Sequence, residues 1–416
     1  MARGAQSMTK ALWRVAMIAA VVGLAGCAER PTGNLIEVGA RAPDASLVDM
    51  LVATTRAPVN DQGVMFGGER AHGLRFADIA VSIPSDATRK IGEIQWPASV
   101  PGDPSKDFVT RSARILDLAD ARADFDLRVD KSAAHDVLVF VHGYNTRFEE
   151  AVYRFAQIAH DSRADIVPVL FTWPSRGKAL SYFYDRESAN YSRDALEALL
   201  DALQRDPAVS EVDILAHSMG NWVTLEALRQ MAIRDKRLAP KIRQVMLASP
   251  DVDVDVFRRQ IKEIGDKRPP FTVFVSRDDQ ALRASRVVWG DMPRLGAVDP
   301  DVEPYASMFR ADRITPIDLT ALKTPDSLNH SKFTESPEVV RMIGTQLASG
   351  QSFSEKPGIG GVLAQTAAGA GATVGSAAGL VISAPLAVVD GRTRDEMGER
   401  LNSVGDNLSS TVSGGY

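Results

Sequence analysis

One stretch constrains the whole chain: Val212-Asp213-Ile214-Leu215-Ala216-His217-Ser218-Met219-Gly220. Mostly apolar residues rise into a serine held among small ones, and a helical pattern then runs from Asn221 to Met231. The pattern predicts a strand, a sharp turn with Ser218 on its corner, and a helix. Such a corner needs Gly220 and a small residue at Ala216, because the chain doubles back too tightly for larger side chains. Ala216 stands where glycine is usual, which keeps the volume low. A hydroxyl so placed projects above the sheet, and the Met219 N–H points at any oxygen bonded to the atom that Ser218 attacks. A structural serine in a small-residue turn would read the same over five residues, so the rest of the chain must decide.

The surroundings supply a sheet. Val137-Leu138-Val139-Phe140-Val141 is a continuous apolar run, as expected of a central parallel strand covered on both faces. It empties into His142-Gly143-Tyr144-Asn145, ahead of a helical pattern over Phe148 to Ala159. Further strands are expected at Val167 to Thr172, Val212 to Ala216, Ile242 to Ala248, Phe271 to Val275 and Ile314 to Leu319. Helices are expected from Asp194 to Leu203 and from Pro337 to Leu347, and Tyr182, Phe183, Tyr184 and Tyr191 are read as a loop before the first of these. Upstream, Leu47 to Thr54 and Phe76 to Ile83 read as strands at the edge, joined by a glycine-rich connection, while 119–123 is too polar to place. Strand alternating with helix predicts an α/β domain over residues 47–347, a mostly parallel central sheet with helices on both faces. Chemistry in such sheets sits at the carboxyl ends of the strands.

A serine hydroxyl is a weak nucleophile near neutrality and needs a base within hydrogen-bond reach, itself oriented by an acid. The chain offers six histidines. His72 falls in the early strands, His135 at a strand start, His160 at a helix end, and His217 beside the serine but turned into packing. His142 precedes a glycine, which suits a different task. His330 remains, in a loop between the last strand and the last helix. For the acid, Asp279 follows the strand Phe271 to Val275, with Asp278 and Asp251 as rivals. The order Ser218, Asp279, His330 is the one expected of an α/β-hydrolase. The amide of Tyr144 can join that of Met219 in binding an oxyanion, with His142 bracing the turn. His142, Trp173, Tyr182, Phe183 and Tyr184 border the same edge. The aromatic ones would wall an acyl or aromatic pocket, or else form a satellite core under a long loop.

The two ends differ from this domain. A basic region closed by Arg14 precedes an apolar run from Val15 to Leu24, which reads as a secretory signal too short for a confident membrane span. It ends at Leu24-Ala25-Gly26-Cys27, which resembles the lipobox of bacterial lipoproteins. That resemblance implies a signal peptide over 1–26, a lipidated Cys27, and a tether over 27–46. It also implies a place in a bacterial cell envelope, at the outer membrane because Ala28 stands where aspartate would signal inner-membrane retention. Cys27 is the sole cysteine, so no intrachain disulfide and no cysteine metal cluster exist. The net charge of −5 gives no sign of a nucleic-acid partner. At the other end, 348–416 is a glycine- and alanine-rich apolar segment with a polar tail. Its stretch 357–389 carries no charge, and Gly371, Gly375 and Gly379 make a small-residue face. Membrane contact, self-association and a bland tail are all open readings of it.

Several blocks together resemble the bacterial α/β-hydrolase family known as domain of unknown function 900. They are Ala53-Thr54-Thr55-Arg56, Val81-Ser82-Ile83-Pro84, Phe140-Val141-His142-Gly143-Tyr144-Asn145 and Thr172-Trp173-Pro174-Ser175. Further on come Ala216-His217-Ser218-Met219-Gly220-Asn221, Ala248-Ser249-Pro250-Asp251, Asp279-Gln280-Ala281-Leu282 and His330. The resemblance covers roughly 47–347 and implies an esterase- or lipase-type serine hydrolase acting on a small-molecule or lipid acyl substrate. It favours Asp279 over Asp278 as the acid. Lys332 separates Ser331 from Phe333, where the family has an aromatic directly after the serine. The implied chemistry needs no metal and no organic cofactor. Amide, peptide and thioester cleavage use the same machinery, and a non-catalytic envelope lipoprotein using the sheet as a binding scaffold is the reading from another class.

Overall fold

The computed structural model describes residues 32–349. The leader, Cys27, and the segment after Ser349 with Gly371, Gly375 and Gly379 lie outside the described residues. Among the described residues nine strands form one sheet in the order β3-β2-β1-β5-β4-β6-β7-β8-β9. They are β1 (Ser46–Pro58), β2 (Phe66–Ile83), β3 (Val109–Leu116), β4 (Val137–Val141), β5 (Val167–Thr172), β6 (Val212–His217), β7 (Ile242–Ala248), β8 (Phe271–Val275) and β9 (Ile314–Asp318). From β1 through β9 every neighbouring pair is parallel, while β2 and β3 fold back antiparallel along one edge. The expected α/β architecture with a largely parallel sheet is what the chain adopts.

The helices are α1 (Leu118–Lys131), α2 (Phe148–Ser162), α3 (Tyr182–Arg205), α4 (Gly220–Asp235), α5 (Val254–Ile264), α6 (Gln280–Val288), α7 (Tyr305–Ala311), α8 (Lys332–Glu335) and α9 (Pro337–Ser349). Alternation along each strand divides the core. Val137, Val139 and Val141 of β4, with Ile214 and Ala216 of β6, face α1, α3, α4 and α5. Leu138 and Phe140, with Leu215 and Met246, face α2 and α9. Both faces of the central strands are therefore apolar, which is why β4 reads as an unbroken run. Among the described residues no helix is long and apolar enough to cross a membrane.

The structure corrects several expectations. The aromatic stretch from Tyr182 is the first half of α3, and no loop precedes Asp194. Its buried stripe runs Asp185, Ser188, Ala189, Ser192, Leu196, Leu199 and Leu203. The helical period is intact, but small and polar residues carry its first two turns, so hydrophobicity does not reveal it. Residues 119–123 belong to α1, where Asp117 caps by accepting the Asp120 N–H at 2.9 Å. The glycine-rich connection is shorter than expected, because Gly67 and Gly68 already lie in β2. Nor is all of 27–46 a tether. Leu35 is buried, its N–H bonds to the Gly63 carbonyl, and Val38 bonds to Thr110.

Phe140 and Phe155 stack across the β4–α2 interface with centroids 5.3 Å apart, both fully buried. Phe155→Ala is expected to lower the unfolding free energy by about 3–5 kcal/mol, through lost transfer energy plus a cavity. Phe155→Leu should cost far less. Denaturant melts of both variants check the ordering.

Candidate active site

The turn after β6 is strained. Ser218 has φ +52°, a left-handed conformation that a non-glycine residue holds only when its surroundings fix it. Four donors do so. The Ser218 carbonyl accepts Asn221 N–H at 3.1 Å, Asn221 Nδ2 at 2.9 Å and Asp251 N–H at 3.3 Å, while Ser218 N–H donates to Ala248 at 2.9 Å. A Cβ on Gly220 would lie 2.4 Å from the His142 carbonyl oxygen, and one on Gly143 would lie 2.8 Å from Ser218 Cβ. Both glycines are required by close approach. The Met219 N–H, at the start of α4, has no acceptor among the described residues.

The turn after β4 is pinned from three sides. Asn145 N–H donates to Asp185 at 3.3 Å, Thr146 N–H to Ser175 Oγ at 3.0 Å, and Arg56 Nη2 to the Thr146 carbonyl at 2.8 Å. Arg56 is buried and also bonds Thr172 Oγ1, the Ser175 carbonyl and the Gly67 carbonyl, tying β1, β2, β4 and β5 together. Burial lowers its pKa to about 10, partly offset by the charge of Asp185. His142 bonds the Gly143 carbonyl through Nδ1 at 2.8 Å and accepts the Trp173 N–H on Nε2 at 3.2 Å. Burial, then the neighbouring Arg56 charge, lowers its pKa to about 3, so it stays neutral. His142 and Trp173 stack at 5.0 Å and are buried. They back the turn from below and do not line an open pocket.

Asp279 caps α6. One carboxylate oxygen accepts Leu282 N–H at 2.9 Å, and the other meets His330 Nδ1 at 2.7 Å. The His330 backbone is fixed separately: its N–H donates to Asp326 at 2.7 Å, and its carbonyl lies 3.2 Å from Ser249 Oγ and 3.3 Å from His217 Nε2. His217, one residue before the serine, thereby joins the elbow to the histidine loop. Its own imidazole is held well below the usual range by burial and by His330. Burial alone would also depress His330, but the charge and hydrogen bond of Asp279, with Asp326 and Asp251, outweigh it and raise the pKa. Ser218 Oγ has no hydrogen bond to His330, nor to any other described residue.

The rival acids are engaged elsewhere. Asp278 pairs with Lys332 Nζ at 2.8 Å and accepts Ser276 Oγ at 2.6 Å. Asp251 accepts Ser285 Oγ at 2.5 Å and the Tyr182 hydroxyl at 2.7 Å. Of the aromatic residues, Tyr182 and Phe183 gather with Trp289 at 5.9–6.2 Å, and Phe183 is 63% exposed. Tyr184 turns away to Gly68, Glu69 and the Arg176 guanidinium. Asp86, His160 and Asp161 bring potential metal-ligand atoms together. Arg89 already bonds both Asp161 oxygens, at 2.6 and 3.0 Å, and Asp86 at 2.9 Å, so a cation is in place there.

A family model described as alpha/beta hydrolase of unknown function (DUF900) matches residues 117–346, from the cap of α1 into α9. The chain belongs to that family. An uncharacterised protein of Nostoc sp. strain PCC 7120 is 25% identical over 132 residues, a match spanning 26% of this chain and 34% of that relative. Among solved structures, a lipase-esterase related protein of Clostridium acetobutylicum ATCC 824 is 12% identical, covering 51% of this chain and 94% of its own, with a TM-score of 0.29. The RedJ thioesterase of the prodiginine pathway in Streptomyces coelicolor is 17% identical, covering 51% and 86%, also at 0.29. Scores this low carry no argument about site or substrate.

The family model covers Ser218, Asp279 and His330, whereas Arg56 lies upstream of it. Sequence reasoning missed Arg56 and Asp185 as positioning residues. The block Ala53-Thr54-Thr55-Arg56 singled out the first without indicating what it holds. The acid–histidine contact has a direct spectroscopic consequence. The His330 imidazole should titrate above the ordinary histidine range in the native chain, and Asp279→Asn should lower its pKa, since burial then acts with less opposition. NMR titration of the histidine ring protons measures both values.

Proposed function

We propose that this chain is a serine hydrolase that cleaves acyl esters through Ser218, His330 and Asp279. The observation that carries the reading is the 2.7 Å contact between buried Asp279 and His330 Nδ1, in a loop bonded to the residue before a strained Ser218. With Nδ1–H directed at Asp279, the lone pair of His330 lies on Nε2, the tautomer a general base requires. His330 takes the Ser218 proton as Oγ attacks the ester carbonyl, and the Met219 and Tyr144 amides hold the oxyanion. The imidazolium, stabilised by Asp279, returns the proton to the leaving alcohol. Water then repeats the sequence on the acyl-enzyme. The base must be neutral, so kcat/KM rises with pH through the elevated His330 pKa and levels above it.

The lipobox supports a second element of the proposal, that Cys27 is acylated and holds the enzyme at the bacterial outer membrane. A single acyl chain binds only marginally, so firm anchoring rests on the several chains of a lipoprotein. Mass spectrometry of the native N-terminus should find an acylated Cys27, and Cys27→Ala should move the protein out of the membrane fraction. An unmodified N-terminus upstream of Cys27 in the membrane-bound protein would end this part of the proposal.

Turnover of short p-nitrophenyl esters tests the chemistry. Ser218→Ala and His330→Ala should each lower kcat on the order of 10⁴-fold or more, the double variant little further, because the residues act as a unit. Asp279→Asn should be severe but milder, while Asp278→Asn, whose carboxylate faces Lys332, should keep its acid–histidine pair. A fluorophosphonate should label Ser218 in the native chain. A folded Ser218→Ala protein with native rates would show the mechanism to be wrong.

A further inference from the structure

Beside the elbow stand two arginines that their surroundings leave incompletely bonded. The Arg294 side chain is only 7% exposed, and its Nε lies 3.4 Å from Asp251 Oδ1, yet neither Nε nor Nη2 has a hydrogen-bond partner. A buried guanidinium nitrogen without a partner is costly, and native interiors seldom tolerate it. Arg186, on the second turn of α3, places its Cζ 3.3 Å from the centre of the Trp222 ring. It makes no hydrogen bond or ion pair among the described residues. Burial lowers its pKa to about 10. Tyr182 and Asp251 partly offset this, while the Arg294 charge adds to it. Both guanidinium groups approach the Trp289 ring, at 6.0 and 5.6 Å.

The acids nearby are engaged with other groups. Asp251 holds Ser285 and Tyr182, and Glu226 accepts Gln260 Nε2 at 2.7 Å with Arg229 at 3.9 Å. Two cations therefore share one close carboxylate, leaving net positive charge. The cluster also adjoins the nucleophile. Trp222 is in the first turn of α4, and the Asp251 N–H bonds the Ser218 carbonyl.

We propose that Arg186 and Arg294 form a subsite for an anionic group, a carboxylate or a phosphate, on the ester presented to Ser218, a substrate class that rests on the serine-hydrolase reading. Guanidinium forks suit both oxyanions, and a bound anion would supply the acceptors that Arg294 lacks. Trp289 and Tyr182 would close the apolar side of the same subsite.

Two measurements test this. In the first, calorimetry on the full-length Ser218→Ala protein compares monomethyl glutarate, glycerol 3-phosphate and neutral dimethyl glutarate. At least one anion should bind on the order of tenfold more tightly than the diester, and Arg186→Gln should remove that difference. Preference for monomethyl glutarate assigns a carboxylate, and preference for glycerol 3-phosphate assigns a phosphate. In the second, native protein hydrolyses mono-4-nitrophenyl glutarate and its methyl ester. The ratio of their kcat/KM values should favour the anion by about tenfold and collapse in Arg186→Gln, with Arg294→Lys retaining part of it. Arg294→Gln is not relied on, because the buried position invites misfolding. No charge preference in either measurement, with Ser218 still labelled and neutral esters turned over, would overturn the subsite and leave the hydrolase reading standing. Charge-selective binding lost in Arg186→Gln, with no ester cleaved and Ser218 unlabelled, would keep the anion site and overturn the hydrolase reading.

Discussion

The closest backbone approach in the site, between the ends of β4 and β6, sets the terms for everything around it. Gly220 lets α4 begin against the His142 carbonyl, and Gly143 lets the β4 turn lie against Ser218. A side chain at either position would push the two turns apart. The approach in turn forces Ser218 into a left-handed conformation, which would cost of order 1–3 kcal/mol if nothing held it. Asn221 is the chief restraint. Its amide nitrogen bonds both the Ser218 and the Ala248 carbonyls at 2.9 Å, so the elbow is fastened to the neighbouring strand end.

The opposing turn is held by a charge. Arg56 is buried among neutral acceptors and, among the described residues, has no carboxylate in direct contact, an arrangement that costs desolvation and that an apolar residue would avoid. What it brings is geometric. One planar group reaches carbonyls on the β4 and β5 turns and one within β2, so the loops at three strand ends are fixed relative to one another. Its positive charge has a further effect on His142, which burial already disfavours protonating. His142 is thus held neutral, whereas the carboxylate beside His330 favours its charged form.

Legibility in the sequence followed hydrophobic period. β4 was readable to the residue because a fully covered parallel strand is continuously apolar, and β7 and β8 because their apolar residues dominate a short run. α3 was not, because Asp185, Ser188 and Ser192 face inward and hold polar partners there. α5 and α6 are short, and their signals are caps, Asp253 and Asp279, which look like ordinary loop acids until a helix follows. In the site, motif order reached Ser218, Asp279 and His330, but motif order says nothing about which side chains lock the loops. Arg56, Asp185 and Asp326 act across 30 or more residues or through backbone amides, and no local pattern marks such contacts.

Three aspartates near the strand ends differ in what their surroundings give them to hold. Asp251, Asp278 and Asp279 are all close enough in sequence to the ends of β7 and β8 to orient a histidine. Asp278 is neutralised by Lys332, the residue that departs from the family pattern, and Asp251 is turned into the Tyr182 and Ser285 cluster beside Arg294. Each of those two has a partner that makes it unavailable to His330. Asp279 alone of the three is placed by a helix cap, which fixes one oxygen on a backbone amide and leaves the other for Nδ1. A cap is a rigid support, since moving the carboxylate would unwind the first turn of α6. With Asp278 held by Lys332, Asp279 is the carboxylate that, among the described residues, hydrogen-bonds the His330 imidazole.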